Sequence, residues 1–194
     1  MKPSIALIPP LFLIILCVSA PVRESRSAEA RRPNVLFIIV DDLGRQDVGV
    51  YGSEFHETPN IDRLARQGMK FTDAYAACPV CSPTRASIMS GKYPARVGVT
   101  QFIGGHAVGR LQDVPYFYGL PTSEVALPRA LGDGGYQTWH VGKWHLGLGA
   151  PNVPPLRGFD HFHGFLGDMM DDYYHHRRSG QNYMRLNEQV IDPE

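Results

Sequence analysis

Val35 to Val40 is an unbroken, β-rich apolar run that follows Pro33 and ends at two acidic residues. That pattern predicts a strand buried on both faces of a mostly parallel sheet. Thr58-Pro59, then Ile61, Leu64 and Ala65, closed by Gly68, has helical spacing with a capping residue, a proline in the first turn and a glycine past the end. Met69 to Tyr75 predicts a second strand, which delivers the chain to Cys78 and Cys81. Ser82 as N-cap, Pro83 as first helical residue and Gly91 as the stop then predict a helix that starts just after Cys81. Tyr136 to Val141 predicts a further strand. The glycine- and proline-rich segments 98–121 and 146–158 predict long loops, whose length suits the rim of a site better than a linker. No internal repeat, coiled coil or low-complexity tract interrupts this order.

One apolar run stands apart. Lys2 is followed by Ile5 to Val18 and then by polar residues, the layout of a secretory signal over residues 1–30 with cleavage expected between Ala20 and Ala30. Ala28-Glu29-Ala30 fits the small-x-small rule; Val18-Ser19-Ala20 fits it too but is followed by Pro21. A retained anchor is the rival, and the run falls short of the roughly 20 residues that cross a bilayer as a helix. Lipid attachment at Cys17 is disfavoured by the bulky Leu16 before it. A secreted or periplasmic protein is therefore expected, with residues 31–194 forming one globular unit. Lys+Arg and Asp+Glu are both 19, so the formal net charge of zero offers no field for nucleic acid or an anionic membrane. Any anionic substrate must be held by a local site.

Three places carry candidate chemistry. Asp41 and Asp42 follow the first predicted strand, at the end where open α/β sheets bind ligands. Two adjacent carboxylates repel unless a cation lies between them, and hard oxygen donors suit Ca²⁺ or Mg²⁺. A solvated turn with a helix cap before Gly44 is the alternative. Cys78 and Cys81 are spaced C-x-x-C, which also fits a redox pair, half of a zinc site or a local disulfide. A zinc site would need two more ligands, a thioredoxin-type pair belongs near a βαβ start, and none of these explains Pro83 and Arg85. Cys81 beside a helix N-terminus gains from the dipole, and Arg85, one turn further on, brings a second positive charge. Lys143 and His145 are two apart, so in extended chain their side chains share a face and could meet one substrate. Trp139 and Trp144 suit a packed core.

Cys81-Ser82-Pro83-Thr84-Arg85 has the form C-x-P-x-R, and CSPTRASIMSGKYPARVG resembles the signature of the type I sulfatases. PNVLFIIVDDLG at 33–44, TPNIDRLARQG at 58–68 and GYQTWHVGKWHLG at 135–147 resemble the same family in the same order. C-x-P-x-R alone recurs in unrelated chains; the ordered set is what identifies the resemblance. It covers about residues 33–175 and implies an α/β, alkaline-phosphatase-like fold, a large mixed, mostly parallel sheet between helical layers, of which this chain holds the N-terminal portion. It also implies that Cys81 is oxidised to formylglycine by a formylglycine-generating or sulfatase-maturating enzyme. As a hydrate, residue 81 would carry one hydroxyl to attack sulfur and a second to release sulfate. Catalytic roles are implied for Cys81, Arg85, Lys143 and His145: Lys143 would bind the sulfate and the modified residue, and His145 would hold or deprotonate it. Asp41, Asp42 and residue 81 are implied as ligands of Ca²⁺, with Mg²⁺ the alternative.

The chain departs from the pattern in two ways. Thr84 stands where many members have serine, which keeps the hydroxyl. In the family a second metal pair, another histidine and another lysine come from later in the chain, and none can be assigned here. Ending at Val190 to Glu194 without a closing element reads as an interruption, so these residues alone are expected to be poorly active. His161-x-His163 and His175-His176 fit ordinary loop residues better than zinc ligands. Asp171 to His175 lies where galactosamine-sulfatase-type members have a similar Asp-Tyr-Tyr stretch, which implies substrate contact. The expected function is hydrolysis of sulfate esters, of sulfated carbohydrates or aryl sulfates. A phosphodiesterase or phosphonate hydrolase of the same superfamily, or an inactive truncated paralogue that only binds sulfated glycans, are the alternatives.

Overall fold

The computed structural model describes residues 32–192, so the expected signal segment and its cleavage lie outside the described residues. The chain divides at Val40 into two units. Of the first, Arg32–Val40 is described. It is extended without forming a strand, and Val35, Leu36, Phe37, Ile38 and Val40 are exposed. This corrects the strand expected from Val35 to Val40. Apolar, β-branched sequence stabilises a strand only through neighbours that take up its hydrogen bonds and cover its faces, and among the described residues no strand pairs with it.

The second unit begins at Asp41. Helix α1, Pro59–Gln67, starts after Thr58 and stops at Gly68, as its capping pattern predicts. The Thr58 hydroxyl accepts the Gly49 N–H and donates to Asp62, and Asp62 also accepts the Val50 N–H, so α1 is tied to the preceding turns. Met69 to Tyr75 forms no strand either; Met69, Phe71 and Tyr75 are exposed. The same absence of a pairing partner among the described residues accounts for it.

Helix α2, Cys81–Ser90, is capped by Val80 rather than Ser82 and ends at Gly91, whose φ of 68° is the left-handed turn that glycine adopts freely. Cys81 is thus the first helical residue. Ser82 is buried, and its hydroxyl accepts the N–H of Ile103, which draws the 98–121 loop onto the helix start. Helices α3, Pro94–Val97, and α4, Leu127–Asp133, follow, each opened by proline near its first position. The expected Tyr136–Val141 strand is found as β1, Trp139–Lys143. It pairs in parallel with β2, His161–Phe165. After a small hairpin of β3, Arg177–Arg178, and β4, Gln181–Asn182, strands β5, Met184–Leu186, and β6, Gln189–Val190, extend the sheet antiparallel in the order β1-β2-β5-β6. The sheet is mixed, with β1 at its edge.

The core lies between this sheet and α2: Ala86, Met89, Val97, Val99, Leu120, Trp144, Leu146, Phe162 and Leu166 are buried together. Trp144 is structural as expected, its indole N–H donating to the Asn152 carbonyl at 2.7 Å. Trp139 is not: it is 67% exposed, because β1 turns Trp139 and Val141 outward and His140 inward. At the register pair Gly142–Gly164, a β-carbon on Gly164 would lie 1.9 Å from the Gly142 carbonyl oxygen. The two strands can run this close only without a side chain there.

Candidate active site

Three segments far apart in sequence meet at the N-terminus of α2. The Lys143 ammonium, at the end of β1, donates to Cys81 Sγ at 3.1 Å and pairs with Asp41 Oδ2 at 2.7 Å. Arg85, one turn into α2 and buried, donates through Nη2 to Asp41 Oδ1 and through Nη1 to the Lys143 carbonyl, each at 2.5 Å. Cys81 at the positive end of a ten-residue helix therefore faces an ammonium, with a guanidinium behind it. Thr84, the residue that departs from the family pattern, uses its hydroxyl to donate to the Cys78 carbonyl. This fixes the chain entering α2. Cys78 and Cys81 are both free thiols.

Burial would raise the pKa of Asp41, but the hydrogen bond from Lys143 and the charge of Arg85 outweigh it and hold the carboxyl below its usual range. Asp42 sits beside it in a turn with φ of 55°, a conformation Asp tolerates. The pair offers hard carboxylate oxygens, the right donors for Ca²⁺ or Mg²⁺, though among the described residues no group of three or more acidic, histidine or cysteine side chains is gathered. They suit such a cation in kind and would supply only part of its shell.

His145 is buried at 2% exposure, and its Nε2 donates to the Ile103 carbonyl at 2.9 Å. Its Nδ1 is buried without a partner among the described residues. Burial pushes its pKa down; the Ile103 bond opposes this, and the Lys143 charge reinforces it. The expectation that Lys143 and His145 share the face of an extended strand is corrected: β1 ends at Lys143, Gly142 has φ of 107° and His145 φ of 54°. His145 therefore lies beyond the strand, yet near enough for the Lys143 charge to act on it.

Two participants escaped the sequence pattern. Ile103 ties the 98–121 loop to both Ser82 and His145 through its backbone, which no side-chain motif encodes. His140 Nε2 reaches the same Lys143 carbonyl as Arg85, at 3.1 Å. The Asp171–His175 stretch is exposed at Tyr173 and Tyr174, and Asp172 binds the amides of Tyr174 and His175. His161 and His163 lie on β2, where they join no metal-ligand group among the described residues.

The sulfatase family model matches residues 33–193. Human steryl-sulfatase is 41% identical over 147 residues, 73% of this chain and 25% of that protein. Pig N-acetylgalactosamine-6-sulfatase is 44% identical over 133 residues, 68% of this chain and 25% of that protein. A solved structure in complex with its substrate D-glucosamine-2-N,6-O-disulfate superposes with a TM-score of 0.57 at 30% identity, over 82% of this chain and 28% of that one. The chain spans about a quarter of the length of the curated relatives it matches. Its mixed sheet and helices form part of the alkaline-phosphatase-like α/β fold. Matched along nearly all of its described length, the chain belongs to the sulfatase family.

Proposed function

We propose that this chain carries the nucleophile half of an active site that hydrolyses sulfate esters. The observation that carries the proposal is the Lys143 ammonium held on Cys81 Sγ at the N-terminus of α2, with Arg85 tying Lys143 and Asp41 together. The sulfur stands where a hydroxyl oxygen of a formylglycine hydrate at residue 81 would lie, and a donor already points at that atom. When formed, formylglycine supplies an attacking hydroxyl and a second hydroxyl for release of sulfate. Asp41 and Asp42 would hold the divalent cation, Ca²⁺ with Mg²⁺ the alternative, which supplies Lewis-acid stabilisation.

The residues of this chain then divide the work. Lys143 orients the sulfonyl oxygens and offsets charge that grows on them. Arg85 sets the position of Lys143 and of Asp41 at once. His145 is held neutral by burial and keeps its proton on Nε2 toward Ile103, so Nδ1 is the atom able to accept one. Ile103, in the 98–121 loop, ties that loop to the helix start at Ser82 and to His145.

A sulfated carbohydrate is the substrate class we favour, supported by the sugar sulfates in the names of two matched proteins. Cys81 would be matured by a formylglycine-generating or sulfatase-maturating enzyme, and export to a secreted or periplasmic location follows from the leader-like residues 1–30. Parallel assays of sulfate and phosphate esters with wild type and Cys81→Ala test the reading. Sulfate turnover that vanishes in the variant supports it. Preference for phosphate esters would move the chain to a phosphodiesterase, and binding of sulfated glycans without turnover to an inactive paralogue.

A further inference from the structure

We infer that His140 is a positioning residue for Lys143, holding the Lys143 carbonyl through Nε2–H so that the ammonium stays on residue 81.

The geometry begins with the sheet. The peptide joining Lys143 to Trp144 sends its N–H to the Phe165 carbonyl of β2 at 2.9 Å. In a trans peptide the carbonyl points the opposite way, so the Lys143 oxygen leaves the edge of β1, where no neighbouring strand among the described residues receives it. Two side chains serve it instead, Arg85 Nη1 at 2.5 Å and His140 Nε2 at 3.1 Å. A carbonyl only accepts, so His140 must carry its proton on Nε2. The ring is fixed by aromatic neighbours: it stacks on Phe162 at 5.5 Å and 20°, lies 5.1 Å from Phe159, and meets Trp144 edge-on at 5.8 Å. Burial lowers its pKa, which keeps the imidazole neutral beside the Arg85 guanidinium.

Arg85 alone could hold this carbonyl, but Arg85 is also bonded to Asp41. His140 is anchored to the aromatic core and to nothing acidic in the site. It therefore gives the end of β1 a reference that does not depend on the state of Asp41. Because Gly142, with φ of 107°, places no restraint of its own on the turn, that second anchor matters most at this residue. The inference rests on the sulfate-ester proposal only for what Lys143 does with substrate; the geometry stands without it.

The test uses the full chain with residue 81 still a thiol, made without a maturating enzyme. The rate of Cys81 alkylation by iodoacetamide near neutral pH is followed on its own peptide by mass spectrometry. Removing the ammonium in Lys143→Met should slow it about tenfold. His140→Leu, which fills the site and donates nothing, should slow it about threefold, and His140→Gln, whose amide places a donor near Nε2, should restore the wild-type rate. Nitrogen-15 spectra of the wild-type imidazole should show a protonated Nε2 and a bare Nδ1 at His140. An unchanged rate in Lys143→Met or His140→Leu, or a His140→Gln as slow as His140→Leu, overturns the inference. So does an Nδ1–H tautomer, which needs no variant and decides the matter if His140→Leu does not fold. None of these readouts uses ester turnover, so failure to hydrolyse sulfate esters would overturn the proposed function and leave this inference standing.

Discussion

Lys143 and Cys81, 62 residues apart in the chain, meet with Nζ 3.1 Å from Sγ. The contact depends on two structural facts: α2 begins at Cys81, and β1 ends at Lys143, the residue after the positive φ of Gly142, with its ammonium at that helix start. If Lys143 stabilises charge in sulfate transfer, Lys143→Met in the matured, full-length enzyme should lower kcat by about a hundredfold or more on an aryl sulfate. A loss confined to KM would show that Lys143 binds the ground state only.

Arg85 makes two hydrogen bonds from one guanidinium, to Asp41 and to the Lys143 carbonyl. A lysine at this position can satisfy one of them. Arg85→Lys should therefore destabilise the fold by about 2 kcal/mol, read as a lowered urea midpoint at unchanged slope. An unchanged midpoint would mean that the ammonium finds both partners or that neither bond matters to stability.

Gly164 faces the Gly142 carbonyl across the parallel pair. Gly164→Ala forces a β-carbon against backbone that has no rotamer to adjust, and should cost about 3 kcal/mol through displacement of β1. The same substitution at Gly149, where nothing lies within 4 Å of the added β-carbon, should change stability far less. Paired thermal melts of the two variants decide this.

Stability should fall in two steps on acidification. His140 and His145 are both held below their ordinary value of 6.5, chiefly by burial, so the folded state binds fewer protons on them than the unfolded chain does. Their contribution is complete above 6.5 and is lost as the pH falls from there toward the folded values. Asp41 is held below its ordinary value of 3.8, so its contribution is present above 3.8 and disappears as the pH drops through the lower, folded value. Melting temperature against pH should thus be level above neutrality and decline below about 6.5. In a His140→Gln, His145→Gln double variant the first decline should shrink; if it persists unchanged, other groups cause it.

Helices α1 and α2 were legible in the sequence because their signals are local: Thr58-Pro59 and Gly68 for one, Pro83 and Gly91 for the other. The strands expected at Val35–Val40 and Met69–Tyr75 failed because a strand is a property of a pair, and a run of β-branched residues does not say what lies beside it. The short strands β3 to β6 gave no periodic signal at two or three residues each. At the site, residue types led to Cys81, Arg85, Lys143 and Asp41, which the fold brings together. What the pattern could not show was the path of the chain at Gly142 and His145, where positive φ breaks the alternation, and the roles of Ile103 and His140, which act through a backbone amide and a backbone carbonyl.

The central claim is that residue 81 is a modified nucleophile, and the mass of the peptide that contains it, taken from the protein in its own source, tests that most directly. An aldehyde, or its hydrate, at residue 81 is the result predicted. A quantitative cysteine there, in protein that nevertheless turns over sulfate esters, would contradict it.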